Sequence, residues 1–187
     1  MSNTVVGLDM SLTGSGICVV QNDVSTIETL KTGPHDFSCD LERLLYITNT
    51  VMSKIPQTPS LICIEDYFIP MSTAQTGAAM SLNSLGTLMR IKMYEAKFPF
   101  IIISPPQLKK FILGKGVGQK SLIMKEVFKK YNVDVKDDNQ ADAFVLAQIA
   151  LAIEDMAAKA NLSKYTKPQV DVITTIMKDR PLYNRTF

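Results

Sequence analysis

Apolar residues change their period several times along the chain, and each change marks an element. Residues 4–9 (TVVGLD) and 15–20 (SGICVV) are short apolar runs with Gly14, Ser15 and Gly16 at the break, and a weaker run follows over 25–31. This pattern predicts a β-meander. From Leu41 onward the stripe Leu41, Leu44, Leu45, Thr48, Val51, Met52 and Ile55 has a 3.6-residue period, with Asp40 or Ser38 as cap and Pro56 and Pro59 as the stop. "SLICIED" is a continuous apolar run ending in acid, as expected of a central strand covered on both faces. A helix is predicted over about 72–97, then a buried strand in "FIIIS" and a short helix in "PPQLKKFIL", with proline in its first turn. After the loop "GKGVGQK", Met124, Val127, Phe128 and Tyr131 mark one helix face, and "DNQADAFVLAQIALAIEDM" reads as an alanine-rich last helix. There are no internal repeats. Residues 157–187 are more polar and are broken by Pro168 and Pro181, so they read as a tail or small appended element beside a domain spanning 1–156.

Five strands in the order β-β-β-α-β-α-β-α-α predict an α/β fold: a mixed five-stranded sheet flanked by helices on both faces. With 187 residues, 46% of them hydrophobic, the chain is long enough for one ordinary core. No apolar run approaches the length of a membrane span, and the N-terminus lacks a secretory pattern, so a soluble, cytoplasmic chain is expected. Cys18, Cys39 and Cys63 lack metal-ligand spacing, and two of them fall inside strand-like runs as buried thiols. His35, the sole histidine, lies in a loop and reads as a solvated surface residue.

Three acids change this picture, because each ends or begins an otherwise apolar element. Asp9 closes the first strand, Glu65 closes "LICIE", and Asp142 sits in the first turns of the last helix. Any one of them has an ordinary reading as a turn cap or a surface ion pair. Together, converging at one sheet edge, they would repel one another and be stable mainly around a cation. Oxygen ligands without a His or Cys cluster suit Mg²⁺ or Mn²⁺.

Charge adds a second feature. The net charge is only +2, yet seven lysines (Lys109, Lys110, Lys115, Lys120, Lys125, Lys129 and Lys130) fall between 109 and 130 with one acid, Glu126. Gly114, Gly116 and Gly118 let backbone amides approach an anion, and a helix N-terminus follows. A polyanion is the natural partner for such a face. The loop does not match a Walker A motif, so no nucleotide cofactor is expected.

"VVGLDMSLTGSGICVV", "LICIEDYF", "SPPQLKKFILGKGVGQKS" and "NQADAFVLAQIA" resemble, in order, the four blocks of the RuvC-type Holliday junction resolvases, RNase H-like enzymes often found in bacteriophages. The resemblance covers about residues 1–156. It implies an RNase H-like nuclease domain with metal ligands at Asp9, Glu65 and Asp142, loop lysines at Lys109 and Lys120, and an aromatic, Phe68, presented to the junction. It also implies that the helix after Phe68 forms a homodimer, and that the enzyme works in the host cytoplasm if it is phage-encoded. In one respect the sequence departs from the family, which commonly shows Asp-x-x-Asp on the last helix; here Asn139 stands three residues before Asp142. Asp138, at i−4, shares the helix face, so the fourth ligand is Asp138 or Asn139.

The actin-like sugar kinases share the sheet topology and a Gly-x-Asp start, but they need a second nucleotide-gripping domain that 187 residues do not accommodate. The expected activity is therefore metal-dependent cleavage of Holliday junctions or other branched DNA, with two divalent ions held by the acids. Lys120, and with it Lys109, would neutralise charge on the scissile phosphate, while Lys110, Lys115, Lys125 and Lys129 contact the DNA. The alternatives are an RNase H-like nuclease acting on RNA or RNA–DNA hybrid, and a catalytically silent module that binds branched DNA.

Overall fold

Alternation along the strands divides the molecule into two packed faces. The computed structural model describes residues 4–66, 77–179 and 182–184. In it β1 (Thr4–Asp9), β2 (Gly14–Gln21) and β3 (Val24–Lys31) form the antiparallel meander. β4 (Leu61–Glu65) runs parallel to β1, and β5 (Phe100–Ile103) runs parallel to β4. The sheet order is β3-β2-β1-β4-β5, the mixed five-stranded sheet expected from the sequence.

Val6, Leu8, Ile62 and Ile64 point to one face, where they meet Leu44, Ile47 and Val51 of α1 (Asp40–Lys54) and Leu85, Met89 and Met93 of α2 (Gly77–Glu95). The intervening odd positions, Val5, Leu61 and Cys63, point to the other face. There they are covered by α3 (Pro105–Leu113), α4 (Lys120–Tyr131), α5 (Asp138–Ala157) and α6 (Lys167–Asp179). Local chemistry sets the helix ends. The Ser104 backbone N–H donates to the Gln107 side chain at 3.0 Å, proline occupies the first turn of α3, and Gly114 ends that helix at φ 77°. Asp137 caps α5 by accepting from the Gln140 N–H at 2.8 Å. Because α5 lies between the sheet and the outer helices it is buried almost all round, which explains its continuous alanine-rich pattern.

Three details differ from, or extend, the pattern read along the chain. Phe128 is 56% exposed; the inward arc of α4 is centred on Ile123 and Val127, and Phe128 lies about 100° beyond Val127 around the axis. Beyond residue 156, α6 buries Val172, Ile173 and Ile176 in the same core as α3 and α5. Tyr183 then bridges to Phe100: each N–H donates to the other's carbonyl (3.2 and 2.9 Å) and the rings stack at 4.5 Å, closing the outer edge of β5.

Arg43, only 7% exposed, donates from its guanidinium to the carbonyls of Leu12 and Thr32, tying the turn after β1 to the end of β3. Cys18 and Cys63 are buried, whereas Cys39 is exposed at the start of α1. Among the described residues no helix is long and apolar enough to cross a membrane.

Candidate metal centre and nucleic-acid interface

Strand register brings the first two acids together. β1 and β4 pair in parallel from Val5 opposite Leu61 to Leu8 opposite Ile64, so Asp9 and Glu65 are the next residues along neighbouring strands. Both continue the odd positions and face α5. Asp142 comes down from the first turns of α5, and one oxygen from each of the three carboxylates lies within 4.8 Å of the others.

Glycine makes this approach possible. A Cβ on Gly7 would stand 2.0 Å from the carbonyl oxygen of Ala143, and one on Gly16 would stand 2.0 Å from that of Asn139. The backbone of α5 therefore rests directly on the backbones of β1 and β2, with no side chain between them.

The site is electrostatically tense. Asp9 is 8% exposed and Asp142 6% exposed. Burial, and then the charge of Glu65, holds the Asp9 carboxyl well above its usual range. Burial together with the charge of Asp142 pushes Glu65 up to about 7, and burial with the charge of Asp9 pushes Asp142 up to about 7. Asp9 and Glu65 share a hydrogen bond, while among the described residues Oδ1 of Asp142, which is buried, has no hydrogen-bond partner. Two buried carboxyls and a half-buried third, with an orphaned oxygen and no soft ligand in the group, fit a hard divalent cation.

The sign of the pH dependence follows. All three carboxyls are raised in the folded protein, so between about pH 4 and about pH 7 the folded state binds more protons than the unfolded chain. Without a cation, this cluster's contribution to stability is largest at low pH and is lost as pH rises through that window. Mg²⁺ or Mn²⁺ should therefore raise the melting temperature at about pH 8 and have little effect at about pH 5, where protons already neutralise the cluster. Thermal unfolding at both pH values checks this, and an equal shift at the two would show the ion binding elsewhere.

The acids line a cleft of about 290 Å³ together with Ser11, Lys109, Lys120 and Asn139. The charges of Lys120 and Lys109 oppose the rise of Glu65 and Asp142, so both lysines act on the site electrostatically. Asn139 lines the cleft, with its amide nitrogen close over Gly14. Asp138, at the first position of α5, lies outside the lining and pairs with Lys120 at 2.5 Å.

Other lysines spread away from the cleft. Lys110 stands 3.8 Å from Asp171 of α6, and Lys130 is 3.5 Å from Glu126. Lys115 and Lys125 border a separate open hollow with Gln119 and Ser121, and Lys129 is exposed on α4. Phe68 lies outside the described residues. Ser11 was not legible as a site residue; its only sequence signal is its place two residues after Asp9, in the run of small residues.

The family model described as crossover junction endodeoxyribonuclease RuvC matches residues 5–154. In fold the chain is similar to RuvC of Thermus thermophilus in complex with a Holliday junction substrate, at 20% identity and a TM-score of 0.61 over 78% of this chain and 90% of that one. It is similar also to a second Thermus thermophilus RuvC structure (21% identity, TM-score 0.60, 77% and 90% covered). The yeast mitochondrial Holliday junction resolvase resembles it as well, at 15% identity and a TM-score of 0.54, with 94% and 82% covered. No curated protein sequence matches the chain.

Proposed function

This chain belongs to the crossover junction endodeoxyribonuclease RuvC family, and from that premise we propose which of its residues cut a branched DNA and how. It is a structure-specific junction endonuclease, a Holliday junction resolvase. The observation that carries the assignment of residues is the convergence of Asp9, Glu65 and Asp142 within 4.8 Å in a cleft shared with Lys109 and Lys120.

Asp9, Glu65 and Asp142, mutually within 4.8 Å, would hold two divalent ions, Mg²⁺ or Mn²⁺. Such ions, when bound, supply Lewis acidity, stabilising charge on a phosphodiester and lowering the pKa of an attacking water. The chain itself contributes the electrostatic surroundings. Lys120 and Lys109 project positive charge where the scissile phosphate gains negative charge. Lys115, Lys125 and Lys129 lie outward along the loop and α4, placed to hold backbone phosphates, which orient the DNA without reading its sequence. Phe68, carried over from the family resemblance, would stack on a base at the crossover.

A homodimer completes this reading. Met80, Ile91 and Tyr94 are exposed on α2, and with the exposed Ser84 and Thr87 they form a stripe at spacings of four, three, four and three residues. A stripe at that spacing would suit pairing with the same helix of a second copy. A two-fold axis there would present two cleavage sites to the symmetric strands of a four-way junction. The cellular setting consistent with this activity is the cytoplasm.

The test is direct. A labelled four-way junction should be cut in Mg²⁺ or Mn²⁺ and survive with chelator, while linear duplex and RNA–DNA hybrid are cut far more slowly. Equal cutting of the hybrid would favour a broader RNase H-like role, and binding without cutting in either metal would favour the silent module. Family membership favours neither of these.

A further inference from the structure

Lys120 occupies the first position of α4, where nothing on its own helix holds it. The first turn of α4 contains no acidic residue, and Gln119 makes no side-chain capping bond. A cation at a helix N-terminus faces the positive end of the helix dipole, and a long lysine side chain left free there turns outward to water. Lys120 does not turn away from the site; it lines the cleft of the three carboxylates.

What holds it comes from another helix. The Asp138 carboxylate accepts a hydrogen bond from Lys120 Nζ at 2.5 Å, bridging the starts of α4 and α5. Asp9 and Asp142 also draw on this lysine's charge, but its hydrogen bond goes to Asp138. Asp138 meanwhile stands outside both the cleft lining and the carboxylate group formed by Asp9, Glu65 and Asp142. It is not needed to start α5, because Asp137 caps that helix.

We propose that Asp138 is a positioning residue for Lys120 and not a metal ligand: it holds the Lys120 ammonium at the mouth of the cleft, where a phosphate entering the carboxylate site meets it. The inference rests on the nuclease reading for the identity of that phosphate. Asp138 is thus separated from Asn139, which faces the cleft itself.

Two measurements test it. The first uses metal-free protein without DNA: site-resolved acetylation by mass spectrometry, with Lys125 and Lys129 as internal references. Breaking the ion pair frees the amine, so D138N should raise the reactivity of Lys120 several-fold over these references. The second is single-turnover junction cleavage across a Mg²⁺ titration. D138N should lower the rate about tenfold, on the scale of lost supporting contacts, and leave the half-saturating Mg²⁺ concentration unchanged. K120A should lose more, and the D138N/K120A double variant should match K120A, since Asp138 acts through the lysine. D138E should recover much of the rate.

Unchanged Lys120 reactivity in D138N would overturn the proposal. So would a raised Mg²⁺ requirement, which would make Asp138 a ligand, or rate losses that multiply in the double variant. Failure of the wild-type protein to cut any junction would instead remove the nuclease reading, and acetylation would still decide whether Asp138 holds the lysine.

Discussion

Asp9→Asn, Glu65→Gln and Asp142→Asn should each abolish junction cleavage, lowering the rate by at least about 10²- to 10³-fold, while binding of the junction stays within a few-fold of wild type. The two effects separate because the acids and the DNA-holding lysines are different groups. Removing one carboxylate weakens cation capture at the 4.8 Å cluster but leaves the basic face of the 109–130 segment intact. A stability measurement guards against misfolding as the explanation. In metal-free wild type the three carboxyls disfavour one another's charged forms, so each neutral variant should melt no lower than wild type near neutral pH. The same variants should lose the melting-temperature increase caused by Mn²⁺. Retained cleavage in any one of them, or loss of binding in all three, would remove these residues from the assigned roles.

Adding one methyl group at Gly7 should be nearly as damaging, through the fold. In Gly7→Ala the new carbon would fall 2.0 Å from the Ala143 carbonyl oxygen and 2.4 Å from the Ala147 nitrogen, both backbone atoms of α5. No rotamer relieves that clash, so the helix must retreat from the sheet. α5 is the element most deeply buried against β1 and β2, and displacing it opens the core on that face. A cost of about 3 kcal/mol or more is expected, at or beyond the upper end for overpacking. Asp142 travels with the helix, and a misplacement of about 1 Å at a reacting site costs on the order of 10²-fold in rate. The folded fraction of Gly7→Ala should therefore remain slow even where binding survives, and Gly16→Ala, 2.0 Å from the Asn139 carbonyl, should behave alike. Gly77→Ala is the control: among the described residues its Cβ would meet nothing within 4 Å, so stability and cleavage should be unchanged. Chemical denaturation and single-turnover cleavage on the same preparations check all three variants.

Much of this protein is written in local patterns. Short and continuous apolar runs identified the five strands of the described sheet, since burial is imprinted residue by residue. Acids at the ends of the most apolar elements marked Asp9, Glu65 and Asp142, because an ionised group in such a place needs a partner. α6 was also present in the chain as Val172, Ile173 and Ile176, but Pro168 read as a break although it stands in the first turn, where proline is tolerated.

Other features belong to no local window. That Asp9 and Glu65 share a face depends on the parallel register of β1 with β4, a pairing across more than 50 residues that periodicity does not encode. The helical spacing left both Asp138 and Asn139 open as the fourth ligand, and in the folded chain Asp138 pairs with Lys120 while Asn139 lines the cleft. Gly7 and Gly16 read along the chain as ordinary strand and hairpin glycines. Their function in seating α5 exists only once a helix from residue 138 onward lies across them, because a missing side chain acquires meaning from whatever fills its space.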